Sequence, residues 1–140
     1  MSSVQRRTSC CTLGGVWIID AYNVLGSRPD GWWRNRRLAL ARLCDLIAAW
    51  RTDEPVIVMI DGWPRAEVPE RHWRGIDVRY ARRRGPDGAD RAIVDLVAAS
   101  DDPGTLTVVT SDARLRDQVV AHGAAVEGAG TFRNRLDDED

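Results

Sequence analysis

Val16-Trp17-Ile18-Ile19-Asp20 is a short apolar run that ends on a carboxylate. Such a run reads as a strand buried on both faces. The pattern returns twice. Val56-Ile57-Val58-Met59-Ile60 runs into Asp61, and Leu106-Thr107-Val108-Val109 runs into Thr110-Ser111-Asp112. Between these runs the periodicity changes. Leu43, Leu46, Ile47 and Trp50 recur at i, i+3, i+4 and i+7, one face of a helix over residues 36–50. Ile93, Leu96 and Val97 mark a second helix over 89–99. Leu115 and Val119 mark a third over 113–122, closed by Gly123. Ile76-Asp77-Val78-Arg79-Tyr80 alternates as a sheet-edge strand does, and Ala124 to Val126 reads as a last short strand. Residues 21–35 carry Gly26, Pro29 and Gly31 and read as a loop.

Apolar strands alternating with helices predict an α/β fold, a mostly parallel sheet covered on both faces. In such a sheet a ligand sits beyond the carboxyl ends of the strands, where the strand order switches direction. At 140 residues the chain is long enough for one domain. No apolar stretch comes near the roughly 20 residues of a membrane helix, so no membrane role is expected. The three cysteines form no disulfide framework: Cys10 and Cys11 are adjacent and Cys44 lies in a helical pattern. No cysteine–histidine spacing suits zinc, and a reducing cytoplasm is the expected setting. Arg6-Arg7 could open an export signal, but Gly14-Gly15 interrupts the apolar stretch that must follow. Residues 1–14 are expected to be a flexible tail, 15–136 the domain, and 137–140 an acidic, frayed end. Nothing in the chain sets an oligomeric state.

The net charge of −1 hides an uneven distribution. Residues 1–85 hold 15 Arg against 9 acids, and residues 86–140 hold 5 Arg against 12 acids. A basic half beside an acidic half suits a protein that holds a polyanion next to a metal-binding carboxylate pocket. Every basic residue among the 20 Lys and Arg is Arg, whose guanidinium grips phosphate with a fork that Lys lacks.

The three strand-end carboxylates, Asp20, Asp61 and Asp112, should emerge along one edge of the sheet. Asp90 opens the second helix and can reach the same edge. Asp in these positions is also a common turn former and helix cap. Carboxylates held together repel and take up protons unless a cation relieves them. An all-oxygen cluster without His or Cys points to Mg²⁺ or Mn²⁺, which can activate water in phosphodiester cleavage. Asn23 is either a cap or a group that orients Asp20 or touches a phosphate. Ser111 is either a cap or a group that holds a water or phosphate. Arg34, Arg36 and Arg37 follow Trp32-Trp33, and Arg82, Arg83 and Arg84 precede the Asp90 helix. These runs read either as solvated surface or as a phosphate track, with a Trp stacking on an unpaired base. Trp17 and Trp50 read as core. No GxGxxG and no GxxxxGK[ST] occurs, which removes the nucleotide-binding motifs.

Ile18-Ile19-Asp20-Ala21-Tyr22-Asn23-Val24-Leu25 resembles the opening motif of the NYN domain family, in its YacP-like branch. The resemblance continues through Asp61-Gly62, Gly88-Ala89-Asp90 and Val108-Val109-Thr110-Ser111-Asp112. It implies a PIN-like three-layer α/β/α sandwich with a central, mostly parallel sheet. It also implies a metal-dependent endoribonuclease acting on single-stranded or unstructured RNA. The acidic metal site carries over onto Asp20, Asp61, Asp90 and Asp112, with Asn23 and Ser111 as polar partners. One departure stands out. Many members have a second acid directly after the one matching Asp90, and this chain has Arg91. That either removes one ligand or brings a phosphate-binding Arg to the rim. The alternative is a non-catalytic RNA-binding NYN module.

Overall fold

The computed structural model describes residues 15–50, 53–73, 75–82 and 88–138. The expected tail over residues 1–14, with Cys10 and Cys11, and the candidate Arg83 lie outside the described residues. Six strands form one sheet: β1 (Val16–Asp20), β2 (Val56–Ile60), β3 (Arg71–Trp73), β4 (Ile76–Tyr80), β5 (Leu106–Val109) and β6 (Ala125–Glu127). Among the described residues, five α-helices accompany them: α1 (Ala21–Leu25), α2 (Arg36–Ala49), α3 (Gly88–Ala98), α4 (Ala113–Ala121) and α5 (Ala129–Asp138). The spatial order is β3-β4-β2-β1-β5-β6, and every pairing is parallel except β3 with β4. This is a mostly parallel α/β sandwich, as the resemblance implies.

Side-chain alternation along the strands divides the core in two. Ile19, Val58, Ile60 and Val109 pack with α1, α2 and α5 on one face. Ile18, Met59 and Val108 pack with α3 and α4 on the other. β1 contributes to both, and Ile18 and Ile19 are almost completely buried. Each such side chain contributes about 1.5–3 kcal/mol. The central position of β1 explains why its apolar run shows no alternation: neither face meets water.

Three elements differ from the sequence-based expectation. Ile76–Tyr80 is not an edge strand, because β3 covers it and pairs antiparallel with it. Its alternation persists because Asp77 and Arg79, facing the same way, stay half-buried and pair with each other at 2.7 Å. The stretch after Asp20 is not all loop. Ala21, Val24 and Leu25 bury one side of α1, a single turn too short to show periodicity. Helix α5 gave no clear signal, since its buried face comes mainly from Ala129, Phe132 and Leu136 among polar residues and Gly130.

Phe132 anchors α5 through aromatic packing. Its ring lies 5.0 Å from Trp50 and 5.9 Å from Trp17, and the two indoles meet edge-on at 5.0 Å. Trp17 and Trp50 are therefore core residues, as their spacing suggests. Trp17 also donates through Nε1 to Glu54 at 3.0 Å. Asp137 belongs to α5, where it pairs with Arg28 and Arg133.

Phe132→Ala is expected to cost about 3–5 kcal/mol by chemical denaturation, because a fully buried ring leaves a cavity. Trp33→Ala, at a ring 48% exposed, is expected to stay within about 0.5 kcal/mol. Equal losses at the two positions would contradict the assignment of the core.

Candidate functional site

The strand order switches direction at β1. The chain moves outward through β2 and β4, then returns to place β5 on the opposite flank of β1. In sheets of this kind, ligands bind beyond the carboxyl ends of the strands at such a point. Asp20 ends β1, aligned with Met59, while Ile19 aligns with Val58 and Val109. It follows Ile18 by two residues and so faces the α3–α4 side of the sheet.

Asp20 is only 5% exposed. Its carboxyl is pushed from the ordinary 3.8 up to about 7, with burial the largest cause. Repulsion from Asp90 and Asp61 contributes to that rise, Asp112 adds a smaller part, and the Asn23 backbone amide opposes it. Three of the carboxylates expected from the sequence, Asp61, Asp90 and Asp112, thus each act on the fourth, Asp20. They come from β1, the loop after β2, the first turn of α3 and the residue before α4.

Two of them also organise the backbone. Asp61 Oδ1 accepts the Ala89 N–H at 2.5 Å, which fixes the start of α3 and hence of Asp90. Gly62 follows Asp61 with φ +95°, so the chain can turn at once. Asp112 N-caps α4, its Oδ1 accepting from Arg114 and Leu115 N–H at 2.9 and 3.2 Å. The same two carboxylates therefore both order helix starts and bear on Asp20. Thr110, almost completely buried, joins β5 to β1. Its hydroxyl donates to Asp20 Oδ2 over a long 3.5 Å and accepts the Asp112 N–H at 3.1 Å.

The profile of the YacP-like NYN domain matches residues 17–140. The chain belongs to the YacP-like NYN domain family. Its fold is similar to crystal structures of Rae1 (YacP) from Bacillus subtilis. One, carrying a single substitution, has a TM-score of 0.69 and 23% identity over 89% of this chain and 76% of that chain. The other has a TM-score of 0.66 and 20% identity over 89% and 74%. No curated protein matches the chain. Membership of this PIN-like nuclease family supports an RNA nuclease or RNA-binding function.

In this YacP-like NYN domain the donors are carboxylate oxygens, the chemistry that suits Mg²⁺ or Mn²⁺. Among the described residues, no three carboxylate, His or Cys side chains are gathered closely enough to hold an ion by themselves. Cys44 offers no thiolate near neutral pH, because burial pushes it up to about 11.

The other expected residues separate. Asn23 Oδ1 accepts the Ser111 N–H at 2.7 Å, tying α1 to the end of β5. Ser111 Oγ accepts the Ala129 N–H at 2.8 Å and so caps α5 rather than α4. Arg91 lines a polar cavity of about 280 Å³ with Asp90, Arg114 and Gln118. Arg34 lines a different cavity of about 300 Å³ with Trp32 and Arg42, which shares no residue with the first. Arg82 pairs with Glu70. Thr110, Arg114 and Gln118 carry no role in the sequence-based expectation. The signal for the last two was there: they sit at i and i+4, one position ahead of the core pair Leu115 and Val119, and so share a neighbouring face.

The raised Asp20 pKa sets a sign. Between about 4 and about 7 the folded protein keeps a proton that the unfolded chain has lost. Its contribution to stability therefore falls as pH rises through that window. In chelator, Asp20→Asn is expected to flatten this fall and to raise the thermal midpoint by several degrees at neutral pH. A pH profile of unfolding identical to that of the unmodified chain would contradict the burial of a charged Asp20.

Proposed function

We propose that this protein is a metal-dependent endoribonuclease that cleaves phosphodiester bonds in single-stranded or unstructured RNA. The observation that supports it is the buried Asp20, held among Asp61, Asp90 and Asp112 at the switch point of the sheet. Asp61 and Asp112 have structural roles at helix starts, but setting them and Asp90 against a buried acid adds repulsion that the fold alone does not require. A divalent cation turns that liability into affinity.

Asp20 and Asp112 are the main ligands in this reading, with Asp61 and Asp90 binding directly or through water. When bound, Mg²⁺ or Mn²⁺ supplies positive charge that activates water and steadies the oxygens of the phosphodiester. The chain's own residues set the geometry. Thr110 holds Asp20 and Asp112 in a fixed relation. Asn23 and Ser111 fasten the loop after β5 between α1 and α5. Arg91, in the cavity it shares with Asp90, presents a guanidinium to RNA phosphate. The cytoplasm suits the free, buried Cys44.

A second reading, a non-catalytic RNA-binding module, is favoured by Arg91 standing where many members of the family have an acid. RNA binding indifferent to chelator, without cleavage under any divalent ion, would favour it.

In a mixed RNA pool with Mn²⁺ or Mg²⁺, the unmodified protein is expected to generate new RNA ends that chelator abolishes. Asp20→Asn and Asp112→Asn are each expected to lose more than about 100-fold in cleavage rate, beyond the range typical of groups that only support a ligand. Asn can still cap α4, so the Asp112 variant should fold. Full cleavage by both variants would defeat the assignment.

A further inference from the structure

Among the described residues, several arginines find an acid: Arg28 pairs with Asp137, Arg79 with Asp77 and Arg135 with Glu127. Arg91 and Arg114 are among those that do not. Both are exposed, and neither enters an ion pair among the described residues. Yet they line the same cavity of about 280 Å³, with Asp90 and Gln118 completing its wall.

Their positions are fixed by the carboxylate site itself. Arg114 stands in the first turn of α4, and its backbone N–H is bound by Asp112 Oδ1. Arg91 stands in the first turns of α3, two residues after Ala89, whose N–H is bound by Asp61 Oδ1. The helices pack together through Ile93, Val97, Leu115 and Val119. Two guanidinium groups are thus carried to the rim by helices that the candidate metal ligands cap. Like charges facing one cavity repel, and an anion between them relieves that repulsion. The guanidinium fork fits phosphate oxygens, and a cavity of this size admits one phosphate with part of its nucleotide.

We propose that Arg91 and Arg114 form a subsite for the RNA backbone phosphate next to the one held at the carboxylates, with Gln118 offering a neutral donor and acceptor to the same nucleotide. This rests on the reading of the carboxylate site as one for RNA. Arg114 is then a substrate-binding residue, and Arg91 replaces a carboxylate by a phosphate-binding group.

The test is the salt dependence of binding of an unstructured RNA oligonucleotide to the full chain, in chelator so that the RNA stays whole. Removing one arginine that neutralises a phosphate of a single strand lowers the slope of log affinity against log salt by about 0.7. Arg91→Gln and Arg114→Gln are each expected to lower it by about that amount, and the double variant by about 1.4. Arg91→Lys and Arg114→Lys keep the charge and are expected to keep the slope. Unchanged slopes in both Gln variants overturn the subsite. Cleavage with Mn²⁺, assayed on the same preparations, separates the two ideas. Reduced slopes without cleavage keep the subsite and remove the nuclease, whereas cleavage with unchanged slopes does the reverse. Absence of RNA binding at any salt overturns both.

Discussion

The structure turns on one electrostatic conflict. Asp20 terminates the central strand of a parallel sheet and is shielded from water, while three further carboxylates bear on it. Burial and like charge both oppose its ionisation, and a proton or a cation must resolve the tension. Its location follows from topology. A strand flanked on both sides by parallel neighbours, at the point where the chain reverses its direction of travel, ends in a crevice. The surrounding loops have one shared edge on which to place their acids.

The same carboxylates hold the frame that positions them. Asp61 fastens α3, Asp112 caps α4, and Thr110 bridges Asp20 to the Asp112 backbone. Stability and site geometry are therefore coupled. A change that removes a cap displaces the side chain next to it, while a change from Asp to Asn removes charge and leaves capping in place. The arginines on α3 and α4 inherit this order, since Asp112 binds the backbone N–H of Arg114 itself and Asp61 binds that of Ala89, two residues before Arg91. An acidic centre and a basic rim emerge from the same helix starts.

Much of this was legible in the residues. The apolar runs before Asp20, Asp61 and Asp112 identified three buried strands, because burial on both faces leaves a continuous hydrophobic signature, and the structure makes them neighbours. That placement, together with Asp90, raised the expectation that four acids converge, and Asp61, Asp90 and Asp112 each act on the carboxyl of Asp20. What stayed hidden depends on packing between segments distant in sequence. Helix α5 is stabilised by Phe132 against Trp17 and Trp50, an arrangement that local periodicity does not encode. Strand β3 has three residues and exists through its pairing with β4. Ser111 caps α5 rather than the helix that follows it, which only the three-dimensional return of the chain reveals. The arginine run after Trp32-Trp33 and the one before α3 read alike in sequence. The fold places Arg34 in a separate cavity and pairs Arg82 with Glu70, so charge clustering along the chain did not predict clustering in space.

The most direct measurement is a carbon-13 NMR titration of the Asp20 carboxyl in chelator and again with saturating Mg²⁺. A midpoint near 7 in chelator, falling by several pH units when the ion is added, is the expected result. A midpoint near the ordinary carboxylate value in chelator, or one that Mg²⁺ leaves in place, would mean that the acids neither burden one another nor share a cation.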